Sequence, residues 1–467
     1  MKKNISVVLI SILIFTFSLN SCSSSNSKKV KSFSDSVFVK GKLIPRVICI
    51  NDYTVNYALY LPSYYSEEKK WPVVYAFDPH ACGLLPVELF KDEAEKYGYI
   101  LIGSNNSKNG TAWNITSAIY DTIYNDTHNR FSIDNSRIYI AGFSGGSRVA
   151  STLAISKNNI NSVVACGAGL GTQIQRDNKF NFFGVVGNED MNLSEMVALD
   201  SALEFSEGKH FLEIFDGKHE WPPKSVVSDA FLWLEFNAIK EKLKPYNDTL
   251  VNNTFSRWEK IYTYIFNSGK YYNSYIFCKK IINYFNELND VSSYKTSLLK
   301  LEKNNIVIET KLHLNKIKTK EVEQQSYYLK AIFTQPISWW VMQTSMINMK
   351  IKSTTDNEEK LMYKRILNYL SLATYMNVNS ALKAENLEQA EKFNFIYSLV
   401  DPKNPEHFYV SAILMMKKGN QEKALEFLES AAKYGFADVK RLESDSVMST
   451  LKQKEKYTEI LKLIKNN

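Results

Sequence analysis

Cysteine is scarce: the 467-residue chain has five, at positions 22, 49, 82, 166 and 278. None has metal-ligand spacing, and the last four stand in apolar or turn-forming surroundings, so a disulfide framework is not expected. A Cys49–Cys82 or Cys82–Cys166 bridge stays open on sequence alone. Dense basic blocks are also missing. The formal net charge of +8 is spread along the chain, which gives no basis for a nucleic-acid function. Glycine and proline nearly vanish after position 255, leaving Lys, Glu, Leu, Ile, Tyr and Phe, a composition suited to paired helices. Length and the 45% hydrophobic content favour two globular domains.

What is present begins with Lys2 and Lys3, an apolar stretch from position 5 to 19, and a small residue before Cys22. A run of about 15 residues is too short to span a membrane and reads as an export signal, residues 1–21. The boundary resembles a bacterial lipobox, with Asn20 a looser fit. The resemblance implies a diacylated Cys22 that holds the protein by lipid on the far side of a bacterial membrane, periplasmic or cell-surface. Residues 22–34 are small, polar and Lys-bearing, as a flexible tether should be.

Residues 35–244 alternate strand-like and helix-like stretches. Strands are expected at 53–61, 71–77, 99–103, 162–166, 182–186 and 210–215, and helices at 89–97, 112–131 and 226–243, the last two amphipathic. The alternation predicts a doubly wound, mostly parallel sheet. At its centre stands Arg137-Ile138-Tyr139-Ile140-Ala141-Gly142-Phe143-Ser144-Gly145-Gly146. An apolar run meets Gly-x-Ser-x-Gly and small residues lead into a helix, which is the pattern of a nucleophile elbow. The turn strains Ser144, needs residues without bulk around it, and points the Gly145 amide at an oxyanion.

Such sheets gather reacting groups at the carboxyl ends of strands. Gly187-Asn188-Glu189-Asp190 follows one expected strand, and Asp216-Gly217-Lys218-His219 follows the last. The order Ser144, Asp190, His219 is that of an α/β-hydrolase. His219 is read as the base and Asp190 as the acid that orients it, ahead of Glu189 and Asp216. His80 has the next claim to the base, but it follows the strand whose end normally supplies an oxyanion amide; His128, His210, His313 and His407 are read as surface or core residues.

Residues 50–240 resemble an α/β-hydrolase of the polyhydroxybutyrate depolymerase and feruloyl esterase type. The likeness is carried by Arg137-Ile138-Tyr139 entering Gly-Phe-Ser-Gly-Gly, by the Gly-Asn-Glu-Asp turn, and by His219-Glu220-Trp221-Pro222. It implies Ser144 as nucleophile, Asp190 as acid and His219 as base. That family places an oxyanion amide after a His-Gly pair. Here His80-Ala81-Cys82 stands in that place, so the second donor is the amide of Ala81 or of Cys82.

After an Asn/Asp-rich connection, 244–254, residues 255–467 read as helical. Lys383-Ala384-Glu385-Asn386-Leu387-Glu388-Gln389-Ala390 and Lys417-Lys418-Gly419-Asn420-Gln421-Glu422-Lys423-Ala424 match at a step of 34 residues. This resembles the tetratricopeptide repeat, a helix–turn–helix unit of about that length. Trp258 and Gly269 fit a first unit at 255–288, whereas 289–370 fits the repeat badly. The region is expected to fold separately and to offer a surface to a protein partner.

The composite expectation is a lipid-anchored serine hydrolase cleaving carboxylic esters through an acyl-enzyme, with carbohydrate- and polyester-linked esters as candidate substrates. That mechanism needs no metal and no organic cofactor. Two alternatives stand beside it: a peptidase of the prolyl-oligopeptidase kind, disfavoured because no propeller-sized region precedes the sheet, and a non-catalytic binding lipoprotein.

Overall fold

The computed structural model describes residues 38–170 and 179–465. The signal at 1–21, Cys22 and the tether at 22–34 lie outside the described residues. In the first half the elements run β1 (Leu43–Ile48), β2 (Asn56–Tyr60), β3 (Trp71–Phe77), α1 (Leu84–Tyr97), β4 (Ile100–Ser104), α2 (Trp113–Arg130), β5 (Ile133–Phe143) and α3 (Gly145–Ser156). They continue through β6 (Ser162–Cys166), β7 (Asn181–Gly187), α4 (Leu193–Leu203), β8 (His210–Phe215) and α5 (Lys224–Lys240).

The strands form one sheet in the order β1-β2-β4-β3-β5-β6-β7-β8. β1 and β2 pair antiparallel, β2 meets β4 antiparallel, and every pairing from β4 to β8 is parallel. This is the doubly wound sheet of the α/β-hydrolase class. Parallel strands need crossovers that cover both faces, and β3, β4, β6 and β7 are buried at every position. Period two sorts their side chains. Val74, Ala76, Tyr139, Ala141 and Phe183 pack with α1 and α5, while Val73, Tyr75, Ile138, Ile140 and Phe182 pack with α2, α3 and α4.

Two elements were not foreseen. β1, Leu-Ile-Pro-Arg-Val-Ile, lacks a clean alternation because Pro45 and Arg46 interrupt it. It is an edge strand with an irregular register between Ile44 and Val47, the place where proline and bulges are tolerated. α4 follows directly on the Asp190 turn. A third difference concerns α5. It was read as amphipathic, but twelve of its residues, Val226, Val227 and Ala230 through Ile239, are buried. A helix apolar all round is covered all round.

Its second cover comes from α6 (Asp248–Asn267) and α7 (Tyr271–Phe285), with α8 (Ser292–Glu302) behind. Asn247, in the stretch read as a connection, accepts from Leu250 N and so caps α6. One hydrophobic cluster runs from Phe183 on the sheet through Trp233 and Phe236 on α5 to Trp258, Tyr284 and Phe285. Trp233 Nε1 donates to Asn283 Oδ1 at 2.8 Å, and Lys280 pairs with both Glu213 and Asp229 at 2.7 Å. From Phe38 onward the described chain is one compact unit, so the change in composition after position 244 does not mark a break in the core.

Beyond these lie α9 (Asn305–Thr334), α10 (Ile337–Ser353), α11 (Asn357–Lys383), α12 (Leu387–Val400), α13 (Pro405–Lys417) and α14 (Gln421–Lys433). α15 (Val439–Ser444), a 3-10 stretch at Ser446–Gln453 and α16 (Glu455–Lys465) close the chain. The two segments matched at 34 residues occupy like positions. Asn386 caps α12 through Gln389 N, Asn420 caps α14 through Lys423 N, and Ala390 and Ala424 are both fully buried.

Candidate active site

Ser144 sits between β5 and α3 with φ 52° and ψ −119°, a strained conformation that aims its side chain off the sheet end. The turn closes because there is no Cβ at position 142: one there would meet Gly146 O at 2.2 Å. Ser144 N donates to Cys166 O at 2.8 Å, which ties the turn to β6. Ser144 Oγ lies 2.9 Å from His219 Nε2, and His219 Nδ1 lies 2.9 Å from Asp190 Oδ2. A carboxylate only accepts, so Nδ1 carries the proton and Nε2 is left to accept from the hydroxyl.

Asp190 is fully buried, and its second oxygen accepts from Asn192 N at 2.8 Å. Asn192 Nδ2 in turn donates to Gly167 O at 2.7 Å. The imidazole of His219 is held sideways by Phe143, with ring centroids 4.7 Å apart, and Phe143 also packs on Trp221. The competing acids point elsewhere. Asp216 accepts from Asn188 Nδ2 at 3.0 Å, and the Glu189 carboxylate pairs with Lys364. The remaining histidines do not face Ser144: His80 is exposed beside Asp78, His210 pairs with Asp200, His128 lies against Tyr124, His313 pairs with Asp356, and His407 approaches Pro402 O.

The loop after β3 lies next to the elbow. Ala81, at φ 60°, donates its amide to Asp78 O at 3.1 Å, and Cys82 N reaches Asp78 Oδ1 at 3.4 Å. His80 N holds the same oxygen at 2.8 Å. The Gly145 amide, at the start of α3, has no backbone acceptor among the described residues. Burial, then Asp78, then Asp438 raise the Cys82 thiol above its ordinary pKa. Cys49, Cys82, Cys166 and Cys278 are free thiols, and neither bridge left open by the sequence forms.

Three positions here escaped the sequence reading. Asp78 directly follows the apolar strand β3, is buried, and accepts from Trp221 Nε1 at 3.0 Å, joining the β3 loop to the His219 loop. A carboxylate at the inner end of a buried strand was the available signal. Asn192, two residues past Asp190, braces it. Asn109 lies against Gly145, where an added Cβ would meet its Oδ1 at 1.7 Å. Only the fold brings the β4 loop there.

No protein-family model matches the chain, and no curated protein matches it. Solved structures resemble its first half. An esterase from Pyrobaculum calidifontis is 11% identical with TM-score 0.35, over 42% of this chain and 86% of that one. An S-formylglutathione hydrolase from Staphylococcus aureus is 14% identical with TM-score 0.32, over 38% and 90%. A feruloyl esterase module from Clostridium thermocellum, complexed with sinapinate, is 15% identical with TM-score 0.34, over 41% and 85%. Overlaps this partial leave the chemistry of this chain to its own residues.

Proposed function

We propose that this protein is a serine hydrolase that cleaves carboxylic esters through an acyl-enzyme on Ser144. The observation that carries the reading is the unbroken row Ser144–His219–Asp190, at 2.9 Å and 2.9 Å, on a strained turn that opens a helix. In this reading His219 Nε2 takes the Ser144 proton as Oγ attacks the ester carbonyl. Asp190, dry and held by Asn192, stabilises the imidazolium that results. The carbonyl oxygen becomes an oxyanion on the Gly145 amide. Of the two candidates for the second donor, Cys82 N has the longer internal bond and is the amide more readily turned to a ligand. One such donor is worth about 10²–10³ in rate. Collapse gives the proton from Nε2 to the leaving alcohol and forms the Ser144 ester. Water, deprotonated by His219, then attacks that ester, and collapse releases the acid as Nε2 returns the proton to Ser144 Oγ.

In the same proposal the chain is exported and anchored by lipid on Cys22, and helices α11–α14 form a tetratricopeptide-like array. The support is the sequence at 1–22 and the repeated cap-and-alanine pattern of α12 and α14. A fluorophosphonate probe tests the catalytic reading: wild type should label and Ser144→Ala should not. Equal labelling of the two, or none of wild type, sinks it. A panel of p-nitrophenyl esters of rising chain length, feruloyl and acetyl-sugar esters, and a Pro-peptide anilide then separates esterase from peptidase. Labelled palmitate should enter wild type and not Cys22→Ala.

A further inference from the structure

The turn that carries Asp190 is gripped from a distant part of the sequence. α11 lays Lys364, Arg365 and Asn368 on it, positions that one helical turn presents together. Arg365 Nη1 donates to Asn188 O at 2.8 Å, and Asn368 Nδ2 donates to Glu189 O at 2.9 Å. Lys364 Nζ pairs with the Glu189 carboxylate at 2.5 Å. These are the two residues immediately before Asp190.

Arg365 is itself locked. Its Nε and Nη2 donate to the Glu321 carboxylate of α9 at 2.6–3.0 Å, and the two side chains are 3% and 1% exposed. The planar fork leaves Nη1 aimed at the Asn188 carbonyl. A buried ion pair is a costly way to stabilise a fold, and hydrophobic residues of like size often serve as well. What the pair supplies here is direction: a rigid donor on a backbone carbonyl next to the acid. From the sheet side the same turn is held by Asn188 N on Phe215 O and Glu189 N on Gly217 O. With its amides held on one side and its carbonyls on the other, the peptide before Asp190 has no free rotation.

We propose that Lys364, Arg365 and Asn368 are positioning residues that keep the Asp190 carboxylate in line with His219. The helical half thereby sets the efficiency of the site without touching the reacting atoms. This rests on the Ser144–His219–Asp190 reading for its catalytic consequence, but not for its geometry.

The test uses the full chain and reads the bond itself. A hydrogen held between His219 Nδ1 and Asp190 gives a far-downfield proton NMR signal, assigned by its loss in His219→Gln. In Asn368→Leu, and in the double variant Arg365→Met/Glu321→Met, that signal should move upfield or vanish. Asn368→Gln, which keeps the carboxamide, should restore most of it. The double change avoids stranding Glu321, since removing Arg365 alone would leave a buried carboxyl without its partner. On p-nitrophenyl acetate kcat should fall about tenfold from misalignment of the acid, with KM little changed. An unmoved signal in folded Asn368→Leu and double variants overturns the proposal. The signal needs no turnover. A wild type that fails to label with fluorophosphonate would therefore overturn the hydrolase reading, while the spectrum still decides the clamp.

Discussion

The sheet half and the helical half bury their apolar residues differently, and the difference shows where a folding boundary lies. In the sheet half two clusters flank eight strands, and Ser144, Asp190 and His219 stand beyond three strand ends. In the helical half two further clusters fill α9–α13 and α13–α16. Helices α6–α8 belong to neither of these. They share the cluster of α5 and the sheet, so they complete the core of the sheet half although their composition is that of the helical half. Composition records which secondary structure a segment forms, whereas membership of a core depends on which face meets which.

The largest effect should come from cutting the chain after Lys244. This exposes Trp233 and Phe236 and strips the cover from α5, so the truncated chain should aggregate or bind an apolar dye. A soluble product that hydrolyses a small ester within a few-fold of wild type would show that the sheet folds alone and that the shared cluster is only a docking face.

Next in size are the strand-end residues, which should sharpen the contrast by removing activity while leaving the fold. Ser144→Ala and His219→Ala should each lose about 10⁶ in kcat, and Asp190→Ala on the order of 10⁴, if the row acts as a unit. Melting temperatures should stay near wild type in the first two. Asp216→Ala removes the brace on Asn188 and should cost far less. A greater loss there than in Asp190→Ala, with both folded, would reverse the assignment of the acid.

Trp258→Ala probes the seam. Trp258 is 4% exposed and packs on Tyr284 and Phe285, so truncation should cost about 3–5 kcal/mol. Near-ultraviolet circular dichroism and tryptophan fluorescence should report one shared transition moved down. Two separated transitions would mean that the helices detach while the sheet persists.

The smallest effect is a pH dependence at the same seam. Burial of Lys280 favours its neutral form, yet Glu213 and Asp229 outweigh this and hold its pKa above the usual lysine value. A raised folded pKa contributes stability that is complete below the unfolded value, about 10.4, and is lost as pH rises through the folded one. Glu213 works the other way: burial lifts its pKa despite Lys280, so its own contribution declines as pH rises above the ordinary glutamate range. The difference in melting temperature between wild type and Lys280→Met should therefore be steady near neutrality and shrink above about pH 10.4. A constant difference would show that Lys280 acts by packing its stem and not by charge.

Much of the sheet was legible because its signals are local. Buried parallel strands read as continuous apolar runs, and the elbow is a steric statement about ten consecutive residues, with a collision at Gly142 that the sequence already implies. That Ser144, Asp190 and His219 could meet was legible because each follows a strand. α5 was legible too and was misread: Ala230-Phe231-Leu232-Trp233-Leu234 has no polar face, which announces a second layer over it.

By itself the sequence determined the element types, their order and the strand ends at which chemistry could stand, because periodicity and turn sterics act within a few residues. Only the tertiary structure decided that Asp190 and not Asp216 meets His219, and that Asp78 joins two loops through Trp221. The grip of α11 on the acid turn was decided at the same level. Its acceptors are backbone carbonyls, which every residue carries, and Arg365 reaches Asn188 across 177 positions of chain. A donor that far away, meeting an acceptor without a side-chain signature, leaves no local pattern. Such contacts come into being when the sheet and the helices pack, where an unpaired buried carbonyl or guanidinium would cost more than the bond that satisfies both.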